Sequence, residues 1–515
     1  MLLSNILPQV AQILPTHYAM KQGDTTITYE QLIHQVSCVA YGYSKLPIKP
    51  GDRIVLLGHP SPYLAIAEIA AIAIGAIPVA IFPDLTSKEM NQIVQDAAPA
   101  AIVYDSAHTG VYDYISSRPQ AAVIALKSGA AGESIAFFIA TLPPLTEWHQ
   151  ADPENIALII YTGGTTGRSK GVMHSHRGIA QWAFMNPARG GGHNSAKKSL
   201  VPNQAHLTGQ FILWTTLYEG GCLIYPESYP LHAEAVVELV EREQIKFLGT
   251  VGLLFRDIVY LENIASRQMQ CVEGISCGGA PISVKTLLKA RDVFPNAQIT
   301  EVYSQTESGQ FISSLSISQC LAEGNLERLL SVGNPSHLAY WGQHPYELRI
   351  VDDAGNEIEQ GEIGEIICRG EQMMIGYWSN TAETDKAIRD GWLYTGDIGR
   401  FDEDGYLYVL DRKKDMVIVN GSNVYASEVE EAIGKHPSVM EAAVVGIALP
   451  DEGEEVVAVV TLREEALLTL DEVRQFCLHE LALFKQPTRL EIAESLPRTS
   501  VGKPDKAALR RLYGK

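Results

Sequence analysis

The sequence predicts an α/β protein with covered sheets, divided into a large N-terminal domain over residues 1–411 and a small C-terminal α+β domain over 412–515. Short apolar runs alternate with helical patterns through most of the chain before Asp411, the order expected of sheets covered by helices. At 515 residues the chain is too long for one hydrophobic core. Near Asp411-Arg412-Lys413-Lys414-Asp415 the charge density rises abruptly and a new set of elements begins.

Taken in order, Thr28 with Gln31 and Thr86 with Glu89 have capping-box spacing at the start of helical patterns. Ile54 to Leu57 and Ala101 to Tyr104 read as buried strands. The apolar stretch Leu64 to Phe82 is interrupted by Glu68, Gly75 and Pro78. It therefore reads as a buried helix ending near Gly75 and a strand Ile77 to Phe82, not as a membrane span. Ala157 to Ile160 is a further buried strand. In the C-terminal part, a strand Met416 to Val419 precedes a helix opened by Ser427 with Glu430, then strands near Ala442 to Val445 and Val456 to Val460.

An apolar content of 46% and a charged content of 19% are those of a globular protein. The net charge of -20 argues against nucleic acid or an anionic membrane as partner, because surfaces for either are basic. The seven cysteines include no CxxC pair, so neither a disulfide framework nor a zinc site is expected. With no secretory pattern at Met1 to Asn5, a cytoplasmic location is the expectation.

The richest stretch is Tyr161-Thr162-Gly163-Gly164-Thr165-Thr166-Gly167-Arg168-Ser169-Lys170-Gly171, which follows the strand at 157–160. Glycines bring backbone N–H groups close to an anion, and threonine hydroxyls and Lys170 can donate to phosphate oxygens. It is not a Walker A loop, since two residues separate Gly167 from Lys170 and a glycine follows the lysine. Five further motifs follow: Gly278-Gly279-Ala280-Pro281, Tyr303-Ser304-Gln305-Thr306-Glu307, Tyr394-Thr395-Gly396-Asp397, Asp411 to Asp415, and Pro497-Arg498-Thr499-Ser500-Val501-Gly502-Lys503. Six motifs in this order resemble the signature of the adenylate-forming superfamily, which includes acyl-CoA synthetases, aryl-CoA ligases, peptide-synthetase adenylation domains and beetle luciferases. The resemblance covers essentially the whole chain. It implies that the small C-terminal domain is mobile.

The resemblance implies ATP as substrate and Mg2+ as cofactor, with Glu307 as the metal ligand and catalytic roles for Lys503, Glu307, Lys170 and Thr306. Nucleotide contacts fall on Thr162, Gly163, Gly164, Thr165, Thr166, Gly167, Gly279, Ala280, Tyr303, Asp397 and Arg412. Asp397 would accept from the ribose hydroxyls, although by residue type alone it is equally a turn residue after Gly396. Lys503 would bridge the attacking carboxylate and the α-phosphate. Lys414 matches the hinge position and Gly421 the thiol path.

His206 matches the aromatic position bordering the acyl site, whereas His174, His176 and His193 read as structural or solvated. Phe211, Gly278 and Gly309 are further acyl-site candidates; Phe211 and Trp214 fit equally as apolar wall or as helix core. No acidic residue lies between Ala205 and Tyr218 to pair with a substrate ammonium. An aliphatic or aromatic acid is therefore expected over an α-amino acid. The segment Asn420 to Glu430 resembles the coenzyme A ligase pattern, with Asn420 in place of the first glycine and Ala426 in place of proline. The expected activity is formation of acyl-AMP and then of a thioester with coenzyme A. The alternative is loading of the acid on a phosphopantetheine carrier protein.

Overall fold

The computed structural model describes residues 2–105, 121–127, 133–162, 169–184, 196–279, 282–338, 346–419, 422–449, 454–463, 466–478, 480–499 and 502–514. They form two compact units, Met1–Glu347 with Cys368–Leu393, and Leu348–Ile367 with Tyr394–Lys515. The sequence boundary at 411/412 and the pivot at Lys414 lie within the second unit, and both remain proposals.

Unit 1 holds two large sheets. Among the described residues, one has seven strands in the order Gly376–Tyr377, Lys170–Ser175, Ile156–Thr162, Ile77–Ile81, Arg53–Leu57, Ala101–Tyr104 and Ala122–Ala125. The other has eight, in the order Gly309–Ser316, Gln298–Gln305, Gly274–Gly278, Phe247–Val251, Lys198–Leu200, Cys222–Ile224, Tyr18–Gln22 and Thr25–Thr28. Most neighbours are parallel, which requires crossover helices and leaves both faces covered.

One core joins the two sheets through the helices Tyr29–Ser44, Pro62–Ala73 and Leu207–Glu219. Pro62–Ala73 is buried at every position except Tyr63, as expected of a helix that is apolar all round. Ser61 caps it, accepting from Leu64 N, and Pro62 occupies the first turn, where no backbone donor is needed. Gly75 ends the segment at φ +77 and the chain enters Ile77–Ile81. Both N-terminal capping boxes form: Thr28 with Gln31 and Thr86 with Glu89. Among the described residues no helix is long and apolar enough to cross a membrane.

In unit 2, Leu407–Arg412 pairs antiparallel with the 397–401 part of the strand Trp392–Phe401. A separate sheet of Val439–Ala448, Glu454–Leu462 and Arg489–Ile492 is covered by the helices Ala426–Gly434 and Leu470–Cys477 on one face and Lys506–Tyr513 on the other. The helix expected to open at Ser427 starts one residue earlier, at Ala426, with Tyr425 as its N-cap and no side-chain cap from that residue. The expected Ser427–Glu430 box is not made. Tertiary partners take both groups: the Ser427 hydroxyl donates to Leu410 O, and Glu430 accepts from Val444 N and pairs with Lys506.

Glu68 is the one carboxyl inside Pro62–Ala73 and is 1% exposed. Its Oε2 accepts from Gln204 Nε2 at 2.5 Å and Gln210 Nε2 at 3.2 Å. Burial outweighs these bonds and raises its pKa from 4.5 to about 7. Between those values the folded protein keeps a proton that the unfolded chain has lost, so stability falls as pH rises through that window. The loss is on the order of 3 kcal/mol across the window. Glu68→Gln should flatten this part of the curve of unfolding free energy against pH, measured by denaturant titration. An unchanged slope would show that Glu68 is ionised throughout.

Candidate functional site

The strands Ile156–Thr162 and Lys170–Ser175 pair antiparallel, with Thr162 directly opposite Lys170. Gly163, Gly164, Thr165, Thr166 and Gly167 lie outside the described residues, as do Ala280 and Gly421. The short strand Gly376–Tyr377 pairs with the far side of Lys170–Ser175, Tyr377 opposite Val172. This register brings the Tyr377 ring to 4.9 Å from Lys170 Nζ.

Lys170 Nζ also donates to Glu383 Oε2 at 2.5 Å, and Lys386 approaches the other oxygen at 2.7 Å. The bond from Lys170, then that from Lys386, holds the Glu383 carboxyl down at about 2. Asn380 fixes Glu383 on the first turn of Thr381–Ala387 by accepting from its backbone N–H.

The parallel strands of the eight-stranded sheet end at the other predicted residues, where ligands of open α/β sheets collect. Gly278 ends its strand with Val302 as register partner, and a Cβ there would stand 2.6 Å from Val302 O. Gly279 follows at φ +80 and Tyr303 is next along the neighbouring strand. Thr306 and Glu307 occupy the turn between Gln298–Gln305 and Gly309–Ser316. Gly309 has φ +83, and a Cβ there would meet Gln372 O at 2.6 Å. Both conditions exclude a side chain. Tyr377 Oη donates to Glu307 Oε1 at 2.9 Å, and Met374 N donates to Glu307 O at 2.8 Å. One tyrosine therefore joins Glu307, on one sheet, to Lys170, on the other.

His206 is the N-cap of Leu207–Glu219. Its Nδ1 accepts from Thr208 N at 3.2 Å, so the neutral ring carries its proton on Nε2. Its ring meets Phe82 edge-on at 6.2 Å. Phe211 is a core side chain, 2% exposed, set edge-on to Phe311 at 5.2 Å, and Trp214 is equally buried. His174 and His176 are buried, which lowers their pKa values to about 3 and about 4.

In unit 2, Asp397 lies opposite Arg412 in register and accepts Arg412 Nε at 2.6 Å. Asp397 is 3% exposed. Lys413 points elsewhere, to Asp353 at 2.8 Å and Glu365 at 3.1 Å. Lys503 is tied to Thr499, whose N donates to Lys503 O at 2.8 Å, and Arg498 donates to Gly502 O beside it. Its surface is exposed, yet crowding by surrounding protein lowers its pKa, and repulsion from Arg412 and Lys414 adds to the effect against the pull of Asp397. Lys414, also exposed at its surface, is lowered first by crowding and then by repulsion from Arg412 and Arg510, against the pull of Asp415 and Asp397. Asp397 thus has one close cation, Arg412, with Lys414 and Lys503 within electrostatic reach of it.

The structure therefore gathers Lys170 and Glu307 in unit 1, and Asp397, Arg412, Lys414 and Lys503 in unit 2. Tyr377 and Glu383 were not read from the sequence. The Asn380–Glu383 spacing marks a helix start but says nothing of Lys170, because that contact spans 213 residues.

Residues 7–378 match the family model described as AMP-binding enzyme, and residues 428–503 match the AMP-binding enzyme C-terminal domain. A feruloyl-CoA synthase of an Amycolatopsis species is 28% identical, covering 98% of this chain and 97% of its own. The fatty acid acyl-carrier-protein ligase ScoC of Streptomyces coeruleorubidus is 28% identical over 98% of this chain and 95% of its own. The structure of the amide bond synthetase McbA from Marinactinospora thermotolerans superposes with a TM-score of 0.87 at 27% identity, covering 99% of this chain and all of the other.

Removing only the hydroxyl in Tyr377→Phe takes away a hydrogen bond to a carboxylate, worth about 1.5–3 kcal/mol. MgATP binding, measured by calorimetry, should weaken by roughly tenfold or more. Tyr377→Leu should weaken it further by also removing the ring beside Lys170. Wild-type affinity in both variants would contradict the bridging role.

Proposed function

The chain belongs to the AMP-binding enzyme family, and from that premise we propose that it is an acid:CoA ligase working through an acyl-adenylate. The observation that carries the reading is the pairing of Arg412 with buried Asp397, with Lys414 and Lys503 within electrostatic reach, on a chain of net charge -20. Cations gathered against the overall charge suit a reaction that brings two anions together.

In the first step a carboxylate oxygen attacks the α-phosphorus of ATP. The new O–P bond forms as the bond to the bridging oxygen of pyrophosphate breaks. Lys503 neutralises the charge between carboxylate and α-phosphate, as an ammonium point charge can. Lys170 donates to phosphate oxygens, Thr306 contacts the α-phosphate, and Asp397 and Arg412 hold the ribose end. Gly278, Gly279 and Tyr303 flank the adenine. Among the described residues no group of three or more His, Cys, Asp or Glu is placed to hold a metal ion. Mg2+ held at Glu307 would take its other ligands from phosphate and water, as is usual beside nucleotides, and would neutralise phosphate charge. In the second step the thiol sulfur attacks the acyl carbon and AMP leaves. Lys414 is the proposed pivot between the steps, and Gly421 borders the thiol path.

An acid without an α-ammonium group is supported by His206 and by the lack of an acidic side chain from 205 to 218. The feruloyl-CoA synthase relative supports coenzyme A as acceptor. The ScoC relative supports a carrier protein as the second reading. Acid-dependent exchange of pyrophosphate into ATP across a panel of aliphatic and aromatic acids, followed by product analysis with coenzyme A or carrier protein, decides between them. No exchange with any acid would contradict the activity.

Lys503→Ala should lose most of the exchange activity yet convert supplied acyl-AMP and thiol to thioester at a near-normal rate. An equal fall in both would remove the first-step role. In Glu307→Gln the Mg2+ concentration giving half-maximal exchange should rise along with a loss in rate, and an unchanged titration would exclude Glu307 as the metal ligand.

A further inference from the structure

The helix Ala426–Gly434 begins without a cap of its own, because its N-cap is Tyr425, whose side chain makes no capping bond. A helix start leaves backbone donors that need partners. Here the partner comes from before the proposed pivot. Asp411 Oδ2 accepts from Ser427 N at 3.2 Å while its Oδ1 accepts from Arg412 N at 2.7 Å, and the residue is 8% exposed. The Ser427 hydroxyl donates back to Leu410 O. Lys506, which pairs with Glu430 at 2.8 Å, also attracts the Asp411 carboxylate.

Of these, the bond of Ser427 N to Asp411, that of the Ser427 hydroxyl to Leu410 O and the attraction of Lys506 for Asp411 run between residues 410–411 and groups beyond 414. Arg510, by contrast, holds Lys414 O at 3.3 Å and Asp415 Oδ1 at 3.0 Å, from the same side of the pivot as Asp415. Rotation about Lys414 would break the first set and spare the pairing of Arg510 with Asp415.

We propose that Asp411 is a positioning residue for the adenylation step: by capping Ala426–Gly434 across the pivot it favours the arrangement in which Lys503 stands beside Asp397 and Arg412. This rests on the reading of Lys414 as the pivot. A bond available in only one of two arrangements shifts their ratio by its own strength. Loss of a helix cap corresponds to about a fivefold shift.

The test measures pyrophosphate exchange and thioester formation from supplied acyl-AMP separately, at saturating ATP, in Asp411→Ala, Asp411→Asn and Ser427→Pro, with thermal melting of each. In Asp411→Ala the ratio of exchange to thioester formation should fall by about fivefold. Asp411→Asn keeps an oxygen for the Ser427 N–H and should restore most of the ratio. Parallel loss of both rates in Asp411→Ala, or an unchanged ratio, would overturn the proposal. Should Asp411→Ala fail to fold, Ser427→Pro decides, because it removes the N–H that donates to Asp411 at a first-turn position where proline is tolerated: a lowered ratio supports the cross-pivot contact and an unchanged one overturns it. Lys414→Pro tests the pivot separately, since fixing φ there should slow thioester formation far more than exchange. If Lys414→Pro separates the two rates but Asp411→Ala does not, the pivot stands and the role of Asp411 falls; if Lys414→Pro leaves both rates unchanged, both fall.

Discussion

The contact on which the proposed nucleotide site of unit 1 depends is that of Tyr377 with Glu307 and Lys170. Glu307 ends a turn of the eight-stranded sheet, and Lys170 begins a strand of the seven-stranded one. A site drawing on both sheets needs a group that links their ends. Tyr377 does this with its two ends, the hydroxyl on the carboxylate at 2.9 Å and the ring beside the ammonium at 4.9 Å. The amphipathic shape of tyrosine makes both possible at once. Glu383 completes the arrangement by giving Lys170 a counter-ion.

Unit 2 works by the opposite electrostatic logic. Asp397 is buried and has one close cation, Arg412, with Lys414 and Lys503 near enough to feel both. The cations repel one another and are partly desolvated, so they carry more positive potential than one carboxylate neutralises. An incoming polyanion relieves that repulsion. The excess negative charge of the whole chain makes such a local reversal necessary, since the long-range field does not favour an anionic substrate.

The elements legible in the sequence were those whose cause is local. Thr28 with Gln31 and Thr86 with Glu89 cap their helices through residues three apart, and Gly75 ends its segment with a positive φ. The motif residues were legible because small, charged and hydroxylated groups cluster around them. What escaped was decided by distant partners. Ser427 and Glu430 have capping-box spacing, but Leu410, Val444 and Lys506 compete for their side chains and win. Tyr377 and Glu383 gain their meaning from a two-residue strand paired with 172–173. Glu68 looked like an interruption of an apolar run, and its partners Gln204 and Gln210 lie 136 and 142 residues away. Phe211 shows the converse: its residue type fitted pocket wall and core alike, and the structure buries it within the joint core of the two sheets.

Adenylation is the claim on which the assignment of Lys503, Asp397, Arg412, Lys170 and Glu307 rests. It is tested most directly by following the carboxylate oxygen. An acid that supports pyrophosphate exchange is labelled with 18O in its carboxyl group and turned over with ATP and coenzyme A, and the nucleotide product is weighed by mass spectrometry. Attack on the α-phosphorus predicts AMP carrying one 18O atom, with unlabelled pyrophosphate. Release of ADP with the label in inorganic phosphate, or of unlabelled AMP, would contradict it.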